Sequence, residues 1–253
     1  MDKKSQVSLF IIFGGIILIA VIFLSYISSD IIKADVKSEV DYITTITPSS
    51  LQPIVLSIYS CTEQIAKDAV VYVGLHGGYY NVPEPKVTYF WDDYAYYLYE
   101  GKNTMPSKKI IEEQISNYII EQLPECIDGL SGFQGVTIEG KIESVYSSIG
   151  KDKVLVNVNY PINIYKSDSR TQIPELRAEV PVRLDTIYEI ASNITKEKIA
   201  NNAVCVDCLI DLASMNNVFI DILAYKNDTL IFTIFDNTSK IDEVDYIFSF
   251  STK

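Results

Sequence analysis

Histidine is almost absent from this sequence: His76 is the only one among 253 residues. A single imidazole excludes any metal site built from several histidines, and it restricts a Ser-His-Asp or Cys-His arrangement to His76 itself. The Gly77-Gly78 pair that follows favours the end of a helix. We therefore expect His76 to cap helix carbonyls or to pack against tyrosines, and we expect neither a metal site nor a cofactor.

Basic residues are scarce as well. Lysine and arginine number 21 against 33 aspartates and glutamates, which gives a net charge of −12 and a pI near 4.6. A surface of this sign repels nucleic acid and anionic lipid headgroups, so nucleic acid is not an expected partner. Repeats and low-complexity tracts are also missing, and a hydrophobic content of 48% leaves enough apolar residues for one or two compact units.

One long apolar run, at residues 7–27, carries no charge. At about 1.5 Å of rise per residue it can cross a hydrocarbon core of roughly 30 Å, so the sequence predicts a single transmembrane helix and a lipid bilayer as a partner. Lys3 and Lys4 precede the run, which predicts a single-pass protein of the cell membrane with a cytoplasmic N-terminus and an extracellular C-terminal domain. The candidate glycosylation sites of the exported part are Asn193, Asn227 and Asn237.

The residues before this run resemble a processing signal. Lys3-Lys4-Ser5-Gln6 and the apolar residues that follow are similar to the class III signal of archaeal type IV pilins and archaellins. The resemblance implies that a prepilin-type peptidase cuts between Ser5 and Gln6 and leaves the hydrophobic helix on the mature protein. Phe10 stands where many pilins have a glutamate, and this difference argues against assembly into a filament.

The periodicity of the apolar residues divides the chain into four regions and predicts an α+β fold. The regions are a cytoplasmic stub and transmembrane helix (1–28), a juxtamembrane helical stalk (29–50), a helical region with an aromatic-rich loop (51–128) and an antiparallel β-meander with a helical insertion (129–253). Helices are predicted near residues 51–73, 107–123 and 185–199 and up to residue 215, and strands near 136–146, 154–164, 178–184, 218–225, 229–235 and 244–250. Pro124 is expected to end the helix that begins at Ser107.

Aromatic residues dominate residues 79–106, where the helical periodicity disappears. Tyrosine and tryptophan combine a flat apolar ring with a polar group, which suits sugar rings or a protein partner. We therefore predict a ligand or partner face in this segment, while rings that simply cover the helices are the alternative. The predicted face consists of His76, Tyr79, Tyr80, Trp91, Asp92, Asp93 and Tyr94.

Four cysteines make an even number, which predicts disulfides in an exported chain. Cys61 lies on the inner face of one predicted helix and Cys126 just past another, so a bridge between them is expected. Cys205 and Cys208 are neighbours at the start of a helix, where a local structural disulfide is favoured. The alternatives are a redox motif at the helix N-terminus and a zinc ion held by all four cysteines.

Several motifs resemble those of one group of proteins. Gly74-Leu-His-Gly-Gly-Tyr79, Met105-Pro-Ser107 and Cys205-x-x-Cys208, with the aromatic strands at the C-terminus, are similar to an uncharacterised family of membrane-anchored proteins from small-genome archaea. The resemblance implies a location and an architecture without an activity.

Three functions of different kinds fit these features. The first is a non-enzymatic archaeal surface protein with a structural or adhesive role, whose partners are other surface proteins. The second is a pilin-like filament subunit, whose partners are further pilin-like subunits. The third is an exported protein that binds or cleaves glycans through the aromatic segment, with Asp92, Asp93 or Glu100 as acid and base. We expect the first, whereas two of these carboxylates facing each other across a cleft would favour the third.

Overall fold

The computed structural model describes residues 43–201, 203–226 and 228–253. Residues 47–253 form one compact unit, and residues 43–46, which precede it, are helical. The predicted cytoplasmic stub, the predicted transmembrane helix and most of the predicted stalk lie outside the described residues. The boundary predicted between residues 128 and 129 falls at the end of a helix of the compact unit.

The described residues form four α-helices. They are α1 (Gln52–Leu75), α2 (Lys108–Gly129), α3 (Leu184–Asn201) and α4 (Val206–Asn216). Just after α1, Gly77 and Gly78 adopt φ values of +65° and +88°, and the Gly78 N–H donates to the Val73 carbonyl at 2.8 Å. Because glycine tolerates this left-handed backbone, the pair ends the helix as predicted.

The prediction of a fold that begins with a membrane-spanning helix is wrong for the structure described. Within residues 43–201, 203–226 and 228–253, no helix is both long enough and apolar enough to cross a membrane. α1 has 24 residues, but Ser60, Glu63 and Gln64 lie exposed along one side while Ile58 and Ala66 are buried. Polar side chains of this kind are costly to place in hydrocarbon, so α1 is an amphipathic helix of a globular core.

The strands of the described residues are numbered in chain order. They are β1 (Lys86–Tyr89), β2 (Asp92–Tyr99), β3 (Lys102–Asn103), β4 (Val136–Gly140), β5 (Ser144–Ile149), β6 (Val154–Asn159), β7 (Ile162–Lys166), β8 (Ser169–Ile173), β9 (Leu176–Val180), β10 (Phe219–Tyr225), β11 (Thr229–Ile241) and β12 (Val244–Thr252). A short 3₁₀ helix, Leu130–Gly132, joins α2 to β4.

β4 to β9 form an antiparallel meander of three long strands. Each long strand is interrupted once, so that it is counted as two: β4 and β5, β6 and β7, and β8 and β9. β5, β6 and β9 pair in one half, and β4, β7 and β8 pair in the other. The breaks fall at residues 141–143, 160–161 and 174–175. Pro161 and Pro174 occupy two of these breaks, because a proline has no N–H with which to continue the ladder.

The second sheet has six strands and joins distant parts of the chain. Its order is β1-β2-β12-β11-β10, with β3 also paired to β2. β2 and β12 are parallel, with Ser251 opposite Tyr96, and the other pairs are antiparallel. The segment at residues 79–106, predicted as an aromatic-rich loop, therefore contains three strands of this sheet. The alternation of apolar and polar residues that marks a strand is absent there, because β2 carries tyrosines on both of its faces.

α1 packs between the two sheets, since it contacts β9 of the meander and β12 of the six-stranded sheet. Gly74 permits the close approach to β12: a Cβ atom there would lie 2.4 Å from the hydroxyl of Tyr246. α2 packs against α1 and β5, and it buries Ile111, Ile115 and Leu123. The helices and sheets thus share one apolar core.

The end of α2 differs from the prediction. Ser107 caps its start, because the Ser107 side-chain oxygen accepts from the Ile110 N–H at 3.3 Å. Pro124 was expected to end this helix, yet the helix continues to Gly129. The missing proline N–H leaves the Ile120 carbonyl without its helical donor, at a point of the helix where Ile120 is 44% exposed.

A buried ion pair holds an irregular stretch of β11. The Asp236 side chain is fully buried and accepts from the Arg183 guanidinium, from the Thr238 N–H and from the Ser239 hydroxyl. Burial disfavours the charged carboxylate, but these donors hold the pKa of Asp236 below its ordinary value. The pairing of β11 with β12 shifts register between Asp236 and Lys240, so this network fixes a bulge.

Candidate functional site

A cluster of exposed aromatic rings lies at the turn between β1 and β2. Phe90 and Trp91 form the two-residue loop and are 72% and 92% exposed. The Tyr89 ring packs against that of Phe90 with centroids 4.5 Å apart, and against that of Tyr225 at 5.3 Å. We call Tyr89, Phe90, Trp91 and Tyr225 the aromatic tip. Clustered apolar side chains with this exposure are typical of surfaces that bind a partner.

The backbone of the aromatic tip is strained at one residue. Phe90 has a φ of +56°, in the left-handed region, whereas Trp91 is not in that region. Two-residue hairpin loops usually place glycine, asparagine or aspartate at such a position, because an L-residue with a side chain pays about 1–2 kcal/mol there. The turn therefore displays a large ring where a smaller residue would be more stable, which points to a role for the ring.

Contacts below the turn fix the geometry of the hairpin. Asp93 on β2 pairs with Lys86 on β1 at 2.8 Å and accepts from the Thr88 hydroxyl at 2.6 Å. The hydrogen bond from Lys86 is the main reason that the pKa of the Asp93 carboxyl lies below its ordinary value. Burial raises the pKa of the Tyr94 hydroxyl on the same strand. Four of the predicted face residues, from Trp91 to Tyr94, thus share this hairpin.

The other predicted face residues belong to a separate group at the end of α1. The His76 ring stacks on Tyr72 with centroids 4.1 Å apart, and its Nδ1 lies 2.7 Å from the Tyr72 carbonyl. Tyr80 and Tyr118 pack edge-to-face at 5.2 Å, and both contact the ring of Tyr72. We call Tyr72, His76, Tyr80 and Tyr118 the tyrosine cluster. His76 is buried within it and is held by structural contacts.

α2 holds the chain that leads out of the tyrosine cluster. The side-chain oxygen of Gln114 accepts from the Tyr80 N–H at 3.0 Å and from the Asn81 N–H at 3.3 Å. Gln122 donates to the Tyr80 hydroxyl at 3.4 Å. Tyr79 is half-buried, and burial raises its pKa. The predicted face is therefore divided between the β1–β2 hairpin, which carries Trp91 to Tyr94, and the end of α1, which carries His76, Tyr79 and Tyr80.

The three carboxylates considered for glycan cleavage do not converge. Asp92 and Asp93 are neighbours on β2, so their side chains point to opposite faces of the strand. Glu100 lies seven residues beyond Asp93, which corresponds to roughly 23 Å along an extended strand. It is 64% exposed and lies 3.9 Å from Lys253. An acid and a base for glycoside hydrolysis must lie within about 10 Å of each other across the scissile bond.

Both predicted disulfides are present. Cys61 on α1 and Cys126 on α2 are bonded with Cα atoms 6.0 Å apart, and Cys205 is bonded to Cys208. The first closes a separation of 65 residues, which corresponds to about 4 kcal/mol in the chain-entropy account of disulfide stability. The second closes a separation of only 3 residues and corresponds to about 2 kcal/mol. Because all four sulfurs are bonded in two disulfides, none is free as a thiolate to bind a zinc ion.

A cavity of about 240 Å³ lies beside the second disulfide, between α3 and α4. Its lining is mostly apolar and consists of Asn193, Ile194, Glu197, Ala203, Val204, Cys205, Cys208, Leu209 and Leu212. A carboxylate oxygen of Glu197 and the sulfurs of Cys205 and Cys208 lie within 4.8 Å of one another. These atoms could hold a metal ion only after reduction, because the thiolate and not the disulfide is the metal ligand.

The candidate glycosylation sites fall on different elements. Asn193 is exposed on α3 and lines the cavity, and Asn237 is exposed in the bulge of β11. Asn227 lies outside the described residues. The two predicted processing residues, Ser5 and Gln6, also lie outside them. Glycosylation and processing therefore stay predictions.

No protein-family model, curated protein or solved structure matches this chain. The fold and its surfaces define a disulfide-stabilised α+β protein with an exposed aromatic tip. The resemblance to membrane-anchored archaeal proteins with a pilin-like start stays a prediction.

Some site residues had a signal in the sequence and others had none. Tyr72 and His76 are four residues apart on a helix, and this spacing places two rings on one face. Tyr225 reaches the aromatic tip from β10, and nothing local to either segment indicates that contact. The left-handed backbone of Phe90 was also missed, because Phe-Trp is not a residue pair that predicts a tight turn. Glu197 lies beside Cys205 and Cys208 because α3 packs on α4, and no signal in the sequence indicates that contact.

Proposed function

We propose that this chain is a non-enzymatic, exported surface protein with an adhesive role, and that the aromatic tip holds its partner. The observation that carries the proposal is the 92% exposure of Trp91 next to Phe90, which is 72% exposed, at the end of a fixed hairpin. Full burial of one large apolar side chain contributes about 1.5–3 kcal/mol. Tryptophan is also among the residues that contribute most to binding at protein interfaces.

The hairpin supports this role because it is organised before any partner arrives. Residues of β1 and β2 pair in register from Lys86 opposite Ala95 to Tyr89 opposite Asp92. The Lys86–Asp93 ion pair links the same strands. Few torsions then remain to be ordered on binding, and less of the contact energy is lost to conformational entropy.

The disulfides support an exported location for the domain. All four cysteines are paired in the structure. Disulfides form and persist in oxidising compartments, and they are rare where thiols are kept reduced. The net charge of −12 is a further reason to expect a partner other than nucleic acid.

The surroundings of the ionisable candidates support a role without catalysis. His76 is stacked in the tyrosine cluster, and Asp93 is held by Lys86 and Thr88. Asp92 and Glu100 are exposed and stand far apart along β2 and its turn. A binding role needs only the rings of Phe90 and Trp91, and both face solvent.

Binding of the purified full chain to cell-envelope preparations tests the proposal. Trp91→Ala should weaken binding by about 2 kcal/mol, or roughly thirtyfold, because it removes the most exposed ring of the tip. Tyr146→Ala is the matched control, since Tyr146 on β5 is 68% exposed and lies outside the aromatic tip. Equal binding of the wild type and Trp91→Ala would refute the proposal.

Treatment of the envelope separates two kinds of partner. Periodate destroys glycans and leaves protein chains, whereas protease does the reverse. Loss of tip-dependent binding after periodate alone would identify a glycan partner, and loss after protease alone would identify a surface protein.

A further inference from the structure

The Cys205–Cys208 disulfide lies at the start of a helix. Cys205 immediately precedes α4, and its Sγ accepts a hydrogen bond from the Cys208 N–H at 3.2 Å. α4 has 11 residues, and the N-terminal end of a helix carries a partial positive charge. The backbone donor and the helix end both favour a negative charge on the Cys205 Sγ, whereas the Glu197 carboxylate, within 4.8 Å, opposes it.

The two sulfurs differ in access. Cys208 is an exposed residue and Cys205 is half-buried, and both line the cavity. We therefore infer that a thiolate approaching from solvent attacks the Cys208 Sγ. Attack on that atom makes the Cys205 Sγ the leaving group, and a leaving thiolate that is stabilised departs faster.

The other disulfide has neither property. Cys61 is 9% exposed on the inner side of α1 and Cys126 is half-buried, so neither is exposed as Cys208 is, and neither stands at a helix start. Their bond joins two long helices. The Cys205–Cys208 bond joins residues that are 3 apart, so it constrains little of the unfolded chain. Breaking it leaves the connection of the major elements unchanged.

The adjacent cavity indicates what kind of molecule fits. Its volume of about 240 Å³ is below the roughly 300–1,000 Å³ of pockets for small-molecule ligands. Ile194, Leu209 and Leu212 contribute apolar side chains to its lining. The cavity therefore suits one apolar side chain of a peptide whose cysteine has reached the Cys208 Sγ.

Glu197 is the one carboxylate in the lining of this cavity, and its oxygen lies within 4.8 Å of both sulfurs. A carboxylate this close to an incoming thiol can accept its proton as a general base. Asp207, in the first turn of α4, is exposed on the same end of the helix.

We propose that Cys205–Cys208 is an exchangeable disulfide that oxidises a dithiol peptide with an apolar residue beside its cysteine. First, a substrate thiolate bonds to the Cys208 Sγ, the Cys205–Cys208 bond breaks, and its electron pair stays on the Cys205 Sγ. Next, the second substrate thiol gives its proton to Glu197 and attacks the substrate sulfur of the mixed disulfide, which releases the Cys208 thiolate. The peptide loses two electrons as its disulfide forms, and the protein gains them as two thiolates. One thiolate takes the proton held by Glu197, and the other takes from solvent the proton that the first substrate thiol released there.

The test uses the oxidised full chain and reduced peptides with two cysteines separated by two residues. One peptide has leucine beside the first cysteine and the other has aspartate. Alkylation and mass spectrometry should find one peptide disulfide formed per Cys205–Cys208 pair opened, at least tenfold faster than any opening of Cys61–Cys126. The leucine peptide should react at least threefold faster than the aspartate peptide. Equal rates at the two disulfides would overturn the proposal.

A peptide with one cysteine maps the site of attack. After acid quenching, it should be attached to Cys208 at least fivefold more often than to Cys205, and the reverse order would overturn the mechanism. Ala203→Phe, at the exposed rim of the cavity, should remove the preference for the leucine peptide. Ala200→Phe is the control, because Ala200 is exposed on α3 and does not line the cavity. An unchanged preference in Ala203→Phe would refute the role of the cavity.

Discussion

The strain at Phe90 predicts a reversal of the usual order of alanine and glycine. In most exposed positions alanine is more stable than glycine by about 0.4–1 kcal/mol, because glycine gives the unfolded chain more freedom. At a φ of +56° a Cβ atom costs about 1–2 kcal/mol, and glycine avoids that cost. The difference leaves Phe90→Gly more stable than Phe90→Ala by about 0.8 kcal/mol, since both variants lose the same ring contacts.

Trp91 is the matched control in the same turn. It is exposed like Phe90, but its backbone is not left-handed. Trp91→Ala should therefore be more stable than Trp91→Gly by about 0.7 kcal/mol, the ordinary order. Both positions lose an exposed aromatic ring in these variants. Comparing the alanine–glycine difference at position 90 with that at position 91 therefore isolates the effect of the backbone conformation.

Urea unfolding of the four variants measures both differences. With a slope near 2 kcal/mol per molar urea, 0.8 kcal/mol moves the midpoint by about 0.4 M. Phe90→Gly should also bind cell envelopes more weakly than the wild type, because the ring is gone although the turn is relaxed. If the alanine variant unfolded at higher urea than the glycine variant at both positions, Phe90 would not be held in the left-handed region. That result would refute the strain at Phe90.

Other parts of the fold give four further predictions. Replacing Cys61 and Cys126 together by alanine should cost about 4 kcal/mol in urea unfolding, and a loss below about 1 kcal/mol would contradict the disulfide's role. Asp236→Ala should cost about 3–5 kcal/mol because it leaves the Arg183 guanidinium without its carboxylate. Since folding lowers the pKa of Asp236, its contribution is present above the ordinary carboxyl pKa of about 4 and is lost as the pH falls through the lower folded-state value. The thermal unfolding midpoints of the wild type and Asp236→Asn should therefore differ most near pH 7 and approach each other as the pH falls below about 4. Gly74→Ala should lower the unfolding free energy by about 1–3 kcal/mol, because its Cβ would lie 2.4 Å from a buried tyrosine hydroxyl on β12, and a neutral effect would contradict this close packing.

The helices were accessible to sequence analysis because their signals are local. Apolar residues at helical spacing and the Gly77-Gly78 pair located α1 to within a few residues. The alternation from Val154 onwards located β6 and β7 for the same reason. The prediction that Pro124 ends the helix was wrong. A proline removes one helical hydrogen bond, and the burial of Leu123 and Ile127 on either side outweighs that loss.

The six-stranded sheet was less accessible because its pairing is not local. β2 meets β12 about 150 residues later, where Tyr96 lies opposite Ser251. Tyrosines on both faces of β2 removed the alternation that would have marked it as a strand. The sequence therefore identified the aromatic composition of the candidate site, and only the sheet explains why Tyr97 is buried while Trp91 faces solvent.

The magnitudes explain how the fold sustains an unfavourable turn. The left-handed backbone of Phe90 costs about 1–2 kcal/mol, and the exposed ring of Trp91 contributes little to the core. The Cys61–Cys126 disulfide, at about 4 kcal/mol, exceeds that strain and acts on helices outside the β1–β2 hairpin. Stability from one part of the molecule therefore offsets the strain in another. Glycine would relieve the strain of the turn only by removing the Phe90 ring that the proposed partner contacts, and this conflict is what a binding role predicts.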